Sequence, residues 1–170
     1  QAQINQEELI LAAPSNNQDK KVETSILEDK VIEAPRIMIE SPSISGSINL
    51  AGARIDDIIL KKYTKTIDPT SEKIILLKKL NEEKPYFAEF GWIGSDDIDL
   101  PKSSSIWTTN NSIIEPGSSA VLKFSSSSNL NFQRVFEVDE NYLITIKDKV
   151  INNSSKPITL YPYGLVRRTG

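Results

Sequence analysis

The sequence predicts an all-β fold, an antiparallel β-sandwich behind a polar N-terminal linker, and three observations predict it. From Arg36 onward apolar and polar residues alternate with a period of two, the pattern of half-buried strands. The alternating runs are short and separated by clusters of Ser, Asn, Gly and Pro. Nothing in the chain supports a domain-sized helical layer.

Residues 1–35 are polar and acidic, with no aromatic residue and scattered apolar ones, which predicts a linker or weakly structured arm. Glu7–Ala13 is long enough for one or two helical turns, too few to stand alone. The sandwich is predicted over 36–170. In "SISGSINL" Ile44, Ile48 and Leu50 share one face, and Ser43, Ser45, Ser47 and Asn49 share the other. Ala51-Gly52-Ala53 then offers a tight reversal, because Gly52 tolerates positive φ. "RIDDIILKKY" returns as a strand. Further strands are predicted at Lys73–Leu80, Tyr86–Trp92, Ser105–Thr108 and Ala120–Phe124. "LNFQRVFEV" places Leu130, Phe132, Phe136 and Val138 on one side. Asp139-Glu140-Asn141 turns the chain into "YLITIKDKVIN", with Tyr142, Ile144, Ile146 and Val150 facing one way. A turn at Asn153–Pro157 leads to a last strand at Ile158–Tyr161, blunted by Pro157 and Pro162. Helix is predicted only in the arm and in a turn near Asp68–Glu72, which Pro69 would open. "SSSS" at 125–128 reads as a solvated loop or strand end.

Composition limits the chemistry. The 170 residues carry a net charge of −3, with 38% apolar and 25% charged residues, ordinary for one globular domain and without the basic footprint of a nucleic-acid binder. No run approaches the length of a membrane helix and no signal peptide is evident. The chain begins at Gln1 rather than Met, which suggests an excised or processed piece. There is no histidine and no cysteine. That removes Ser-His-Asp and Cys-His catalysis and ordinary zinc sites, and leaves only carboxylate, lysine or tyrosine chemistry.

The remaining candidates favour structural roles. Asp56 and Asp57 are neighbours in a strand and should point to opposite faces, so they are not expected to share a proton or a metal. Arg54 and Asp56 share a face, which predicts a solvated pair. Asp96, Asp97 and Asp99 resemble an oxygen-rich calcium loop but lack its glycine and distal glutamate, so no metal is assigned. Tyr86, Trp92 and Trp107 are the candidate ligand-binding residues, an aromatic platform for a sugar ring, set against the commoner role of such rings in a sandwich core. Gly91 and Gly94 do not form a phosphate loop. Asn110-Asn111-Ser112 and Asn152-Asn153-Ser154 match glycosylation sequons, a pattern short enough to recur by chance. Arg134 and Asp148 fall on the apolar face of successive strands. If Val138 pairs with Tyr142, Arg134 faces Ile146 and Asp148 lies on its diagonal, a structural ion pair that fixes register.

Three stretches, "GSINLAGARIDDIILKKY", "PYFAEFGWIG" and "VDENYLITIKDKVINNSSKPITLYPYGLVRRTG", together resemble the periplasmic domain of the bacterial membrane protein insertase YidC, in its alphaproteobacterial form. The resemblance runs from about Arg36 to Gly170. It implies a large sandwich (a super-sandwich) related to galactose-mutarotase-like folds, placed between the first and second membrane helices behind a variable polar linker. It implies a non-catalytic scaffold or docking surface without cofactor, at the periplasmic face of the inner membrane. The implied partners are the membrane helices of the same full-length protein, Sec translocon subunits (SecDF, SecYEG) and nascent membrane proteins. The alternative is a carbohydrate-binding sandwich; mutarotases of this fold use histidine, which this chain lacks. Family members continue beyond "YPYGLVRRTG", so C-terminal strands are expected to be missing, leaving an open edge and a tendency to self-associate.

Overall fold

The computed structural model describes residues 33–169. They form ten strands: β1 (Arg36–Glu40), β2 (Ile44–Asn49), β3 (Arg54–Thr64), β4 (Lys73–Leu77), β5 (Tyr86–Ile93), β6 (Ile113–Ile114), β7 (Ser119–Ser125), β8 (Leu130–Val138), β9 (Ile144–Asn152) and β10 (Tyr161–Arg168). A seven-stranded sheet runs β10-β5-β3-β2-β1-β6, with β4 also paired to β3, and a three-stranded sheet runs β7-β8-β9. All pairings are antiparallel except β1 with β6. No helix among the described residues is long and apolar enough to cross a membrane. Of the polar arm, only residues 33–35 are described. Ala34 packs against the core, and the Pro35 carbonyl accepts the Leu50 N–H at 3.0 Å.

Alternation builds the core. In β1, Ile37 and Ile39 are buried while Met38 and Glu40 are exposed. Ile44 and Ile48 of β2, Ile55 and Ile58 of β3 and Ala88 and Trp92 of β5 continue that face. The small sheet lays Ala120 and Leu122 of β7, and Leu130, Phe132, Phe136 and Val138 of β8, against it. Trp92 and Trp107 join the ring cluster of Phe124 and Phe132, with Trp92 and Phe132 centroids 4.8 Å apart.

The Ala51–Ala53 reversal occurs with φ of +69° at Gly52 and +49° at Ala53. The predicted Ser105–Thr108 strand is a crossing strap instead. Ile106 bridges Ala51 of the large sheet, Thr108 bridges Lys123 of the small one, and Trp107 is buried between them. A segment that changes sheets cannot sustain a ladder in either. The two-residue β6 was not foreseen, being too short to show a period.

Four further expectations are corrected. At Asp68–Glu72 there is a turn rather than a helix, because the Asp68 carboxylate accepts from Thr70 N at 2.8 Å and Oγ1 at 2.7 Å and closes the chain locally. The last described strand runs over Tyr161–Arg168, not Ile158–Tyr161, and contains Pro162; among the described residues β10 is a sheet edge, where a residue without an N–H is tolerated. The β8–β9 hairpin pairs Val138 with Ile144, not Tyr142. Asp139 Oδ1 accepts from the N–H groups of Asn141 and Leu143, both at 2.9 Å, which holds a longer loop. The shift is by two residues, so each side chain keeps its face. Finally, the serine face of β2 is not fully wet: Ser43 and Ser47 are buried, and Ser43 Oγ donates to the Glu140 carbonyl at 2.6 Å.

β3 is bulged. Ile55 pairs with Ile48 and Asp57 with Ser47, leaving Asp56 as the extra residue. Gly46, one residue away across the ladder, lets the bulged backbone close in: a Cβ there would sit 1.8 Å from the Asp57 carbonyl oxygen. Replacing Gly46 with Ala must therefore move backbone rather than a side chain. Gly46→Ala is expected to lower unfolding free energy by about 3 kcal/mol in urea titration, the upper end of ordinary overpacking. A loss below about 1 kcal/mol would mean that the bulge yields freely.

Candidate functional site

The bulge gathers what simple alternation separates. Arg36 Nε donates to Ser47 Oγ at 2.7 Å, and Ser47 Oγ donates to Asp57 Oδ2 at 2.6 Å. Arg36 also pairs with Asp56, and Lys79 Nζ lies 3.4 Å from Asp57 Oδ2. The two carboxylates thus reach one network, against the expectation that they face apart; the unpaired residue of the bulge resets the period. Each has its own cation, so the cluster is a balanced set of ion pairs. The predicted solvated Arg54–Asp56 pair does not form. Arg54 is buried, pairs with buried Glu89, and lies 4.7 Å from the Phe87 ring centroid. Glu89 was missed at sequence level, although a lone carboxylate inside "YFAEFGWI" is the signal that a buried cation must face it.

Arg134 is the most completely buried charged group among the described residues, with none of its side chain exposed. Nε and Nη2 donate to the two carboxylate oxygens of Asp148 at 2.7 and 2.9 Å, and Nη1 donates to the Phe90 carbonyl at 3.0 Å. Asp148 stands directly opposite in register rather than on the diagonal. The guanidinium carbon lies 5.2 Å from the Trp92 ring centroid and 5.3 Å from that of Trp107. Trp92 and Trp107, with centroids 6.4 Å apart, therefore face a cation and the core, not solvent. Tyr86 lies at the far end of β5, with Arg168 5.8 Å from its ring. The three aromatics do not form a surface platform.

Gly91 faces Tyr163 in register, and a Cβ at Gly91 would lie 2.7 Å from the Tyr163 hydroxyl. Burial raises the Tyr163 pKa above its ordinary value; the Glu89 charge adds to the rise and Arg134 opposes it. Nearby, a cavity of ≈ 10 Å³ lined by Gly52, Glu89, Trp107 and Tyr163 has room for no more than about one water. A shallow groove of ≈ 220 Å³ lies over Thr108–Asn111. Neither reaches the roughly 300 Å³ at which small-molecule pockets begin. Among the described residues Asp96, Asp97 and Asp99 do not converge as a three-carboxylate cluster. Asp99 instead accepts from Ser127 N and Oγ, both at 2.8 Å; these bonds hold its pKa below the usual value and tie the serine loop down.

Two measurements check these assignments. Asp148→Leu leaves a buried guanidinium without its carboxylate and is expected to cost about 3–5 kcal/mol, whereas Arg134→Met/Asp148→Leu recovers most of that. A coupling energy near zero in urea titration would show that the contact carries no energy. For Tyr163, the raised folded pKa means that the phenol's contribution is complete below its unfolded pKa and is lost as pH rises through the folded one. Wild type is therefore expected to lose more stability than Tyr163→Phe between about pH 9 and pH 11. Parallel pH profiles would contradict this.

Residues 36–170 match the family model described as the YidC periplasmic domain. The chain is 44% identical over 143 residues to the membrane protein insertase YidC of Methylobacterium radiotolerans, an overlap covering 84% of this chain and 23% of that protein. It is 42% identical over 149 residues to the YidC of Bradyrhizobium diazoefficiens, covering 85% and 24%. It is 40% identical over 158 residues to that of Rhizobium etli, covering 92% and 26%. The chain thus spans about a quarter of the length of these relatives. The resemblance carried by the three sequence stretches holds across the whole sandwich: this chain belongs to the YidC family of membrane protein insertases and carries that family's periplasmic domain over residues 36–170.

Proposed function

We propose that the sandwich serves a membrane protein insertase as a non-catalytic scaffold and docking surface on the periplasmic side of the bacterial inner membrane. On this reading it works beside the membrane helices of the full-length protein and near the Sec translocon and nascent membrane proteins. One observation carries it. The buried charges Arg54, Asp56, Glu89 and Arg134 are all engaged with partners, while among the described residues β9 and β10 each leave one edge without a partner strand. Tyr161 and Val166 on β10 and Leu143 before β9 are exposed beside those edges. Such an edge with apolar side chains is suited to adding a strand, from the rest of the full-length protein or from another chain. A carbohydrate-binding function finds no support in the burial of Trp92 and Trp107.

The test is a photoreactive residue placed at Tyr161 or Val166 of the full-length protein in cells, with Thr70, in the turn between β3 and β4, as control. Adducts with Sec subunits or nascent membrane proteins from β10 but not from Thr70 are expected. Adducts only with the protein's own helices would remove the outward docking role. Adducts between two copies would show that the edge serves self-association instead.

A further inference from the structure

The hairpin joining β3 to β4 leaves the sandwich. β2 last pairs with β3 at Ile44↔Leu60, one more backbone bond joins Lys61 N to Ser43 O, and β4 begins only at Lys73. Residues 62–72 therefore project past the end of β2, held together by the Thr64↔Lys73 pairing and the bond from Lys65 N to Glu72 O. At the tip Ile67 is fully exposed, and below it Tyr63 is 51% exposed, its ring 5.7 Å from that of Tyr142. Tyr142 and Leu143 of the β8–β9 loop extend the apolar surface on this side, and Ile75 and Leu76 of β4 are exposed as well.

Around these apolar groups the charge is reversed relative to the rest of the chain. Residues 61–73 hold four lysines against two carboxylates, a local +2 in a chain of net −3. Lys61, Lys65 and Lys79 are paired with Glu40, Glu72 and Asp57. Lys62 and Lys73, beside the tip, make no ion pair among the described residues and are exposed.

We propose that this hairpin docks on a bilayer containing anionic phospholipid, with Ile67 entering the acyl region, Tyr63 and Tyr142 at headgroup level and the unpaired lysines on phosphates. Single exposed apolar residues are ordinary, but the combination is specific. An aliphatic tip, an aromatic collar and surrounding lysines supply the three contacts that an anionic membrane interface rewards. A protein partner is the weaker fit, because lysine is depleted from protein interfaces and a lone protruding side chain offers little area.

Co-sedimentation of the 170-residue chain with phosphatidylcholine vesicles, with and without phosphatidylglycerol, tests this independently of any docking to Sec. Binding is expected only with phosphatidylglycerol and should weaken as salt rises. Ile67→Asp, and separately Lys62→Glu/Lys73→Glu, should each weaken it about tenfold, while Lys149→Glu on β9 should change it little. No binding to phosphatidylglycerol vesicles overturns the proposal, as does undiminished binding by Ile67→Asp. An equal loss with Lys149→Glu also overturns it, since bulk charge alone would then account for binding.

Discussion

Arg134 brings a full positive charge between two sheets that are otherwise joined by apolar side chains. Leaving such a group unpaired costs several kcal/mol, so the interior must be arranged around it. Asp148 supplies both oxygens from β9, the Phe90 carbonyl supplies a third acceptor from β5, and Trp92 and Trp107 supply ring faces. One side chain thus fastens the hairpin to its register and the small sheet to the large one. A slip of two residues would keep every apolar side chain inward, and hydrophobic burial alone would scarcely resist it. It would, however, set Arg134 against Ile146 or Val150. The charge discriminates where greasy packing does not.

The bulge in β3 performs a similar task on the other face of the large sheet. Without Asp56 as an unpaired residue, the two adjacent carboxylates would straddle the sheet, one of them in the core. With it, Asp56 meets Arg36, Asp57 meets Ser47, and the Arg36–Ser47 hydrogen bond links the two. Gly46 is the condition for this arrangement, because only a residue without Cβ leaves room for the Asp57 carbonyl. Sequence neighbours that look like a catalytic pair are thereby turned into a fixed, neutral cluster.

The strands were legible wherever burial was one-sided. Burial in β8 alternates without a fault, and its faces could be read residue by residue, including Arg134, the charge on its inward face. Legibility failed where a local hydrogen bond outranked periodicity. The Asp139 carboxylate lengthened a hairpin loop, and Asp68 turned a presumptive helical start into a closed turn. It failed again where pairing was non-local. That Arg54 meets Glu89 follows from β3 lying beside β5, an adjacency that no window of sequence contains. The two tryptophans illustrate the same limit, since exposed and core aromatics look alike until the opposing sheet is in place.

The placement of β10 has a consequence for the order in which the chain acquires its structure. β7, β8 and β9 are successive hairpins whose contacts close short loops. β10 instead returns past β6, β7, β8 and β9 to meet β5 at Tyr161↔Ile93. Closing so long a loop is entropically expensive until the framework around it exists, so contact-order reasoning puts β10 on last. Until then β5 is itself an unsatisfied edge, with Phe87 and Glu89 lacking their neighbour strand. Until β10 pairs, the forming sandwich therefore exposes as an open edge a strand that is interior to the finished sheet. Arrival of β10 moves the open edge outward by one strand.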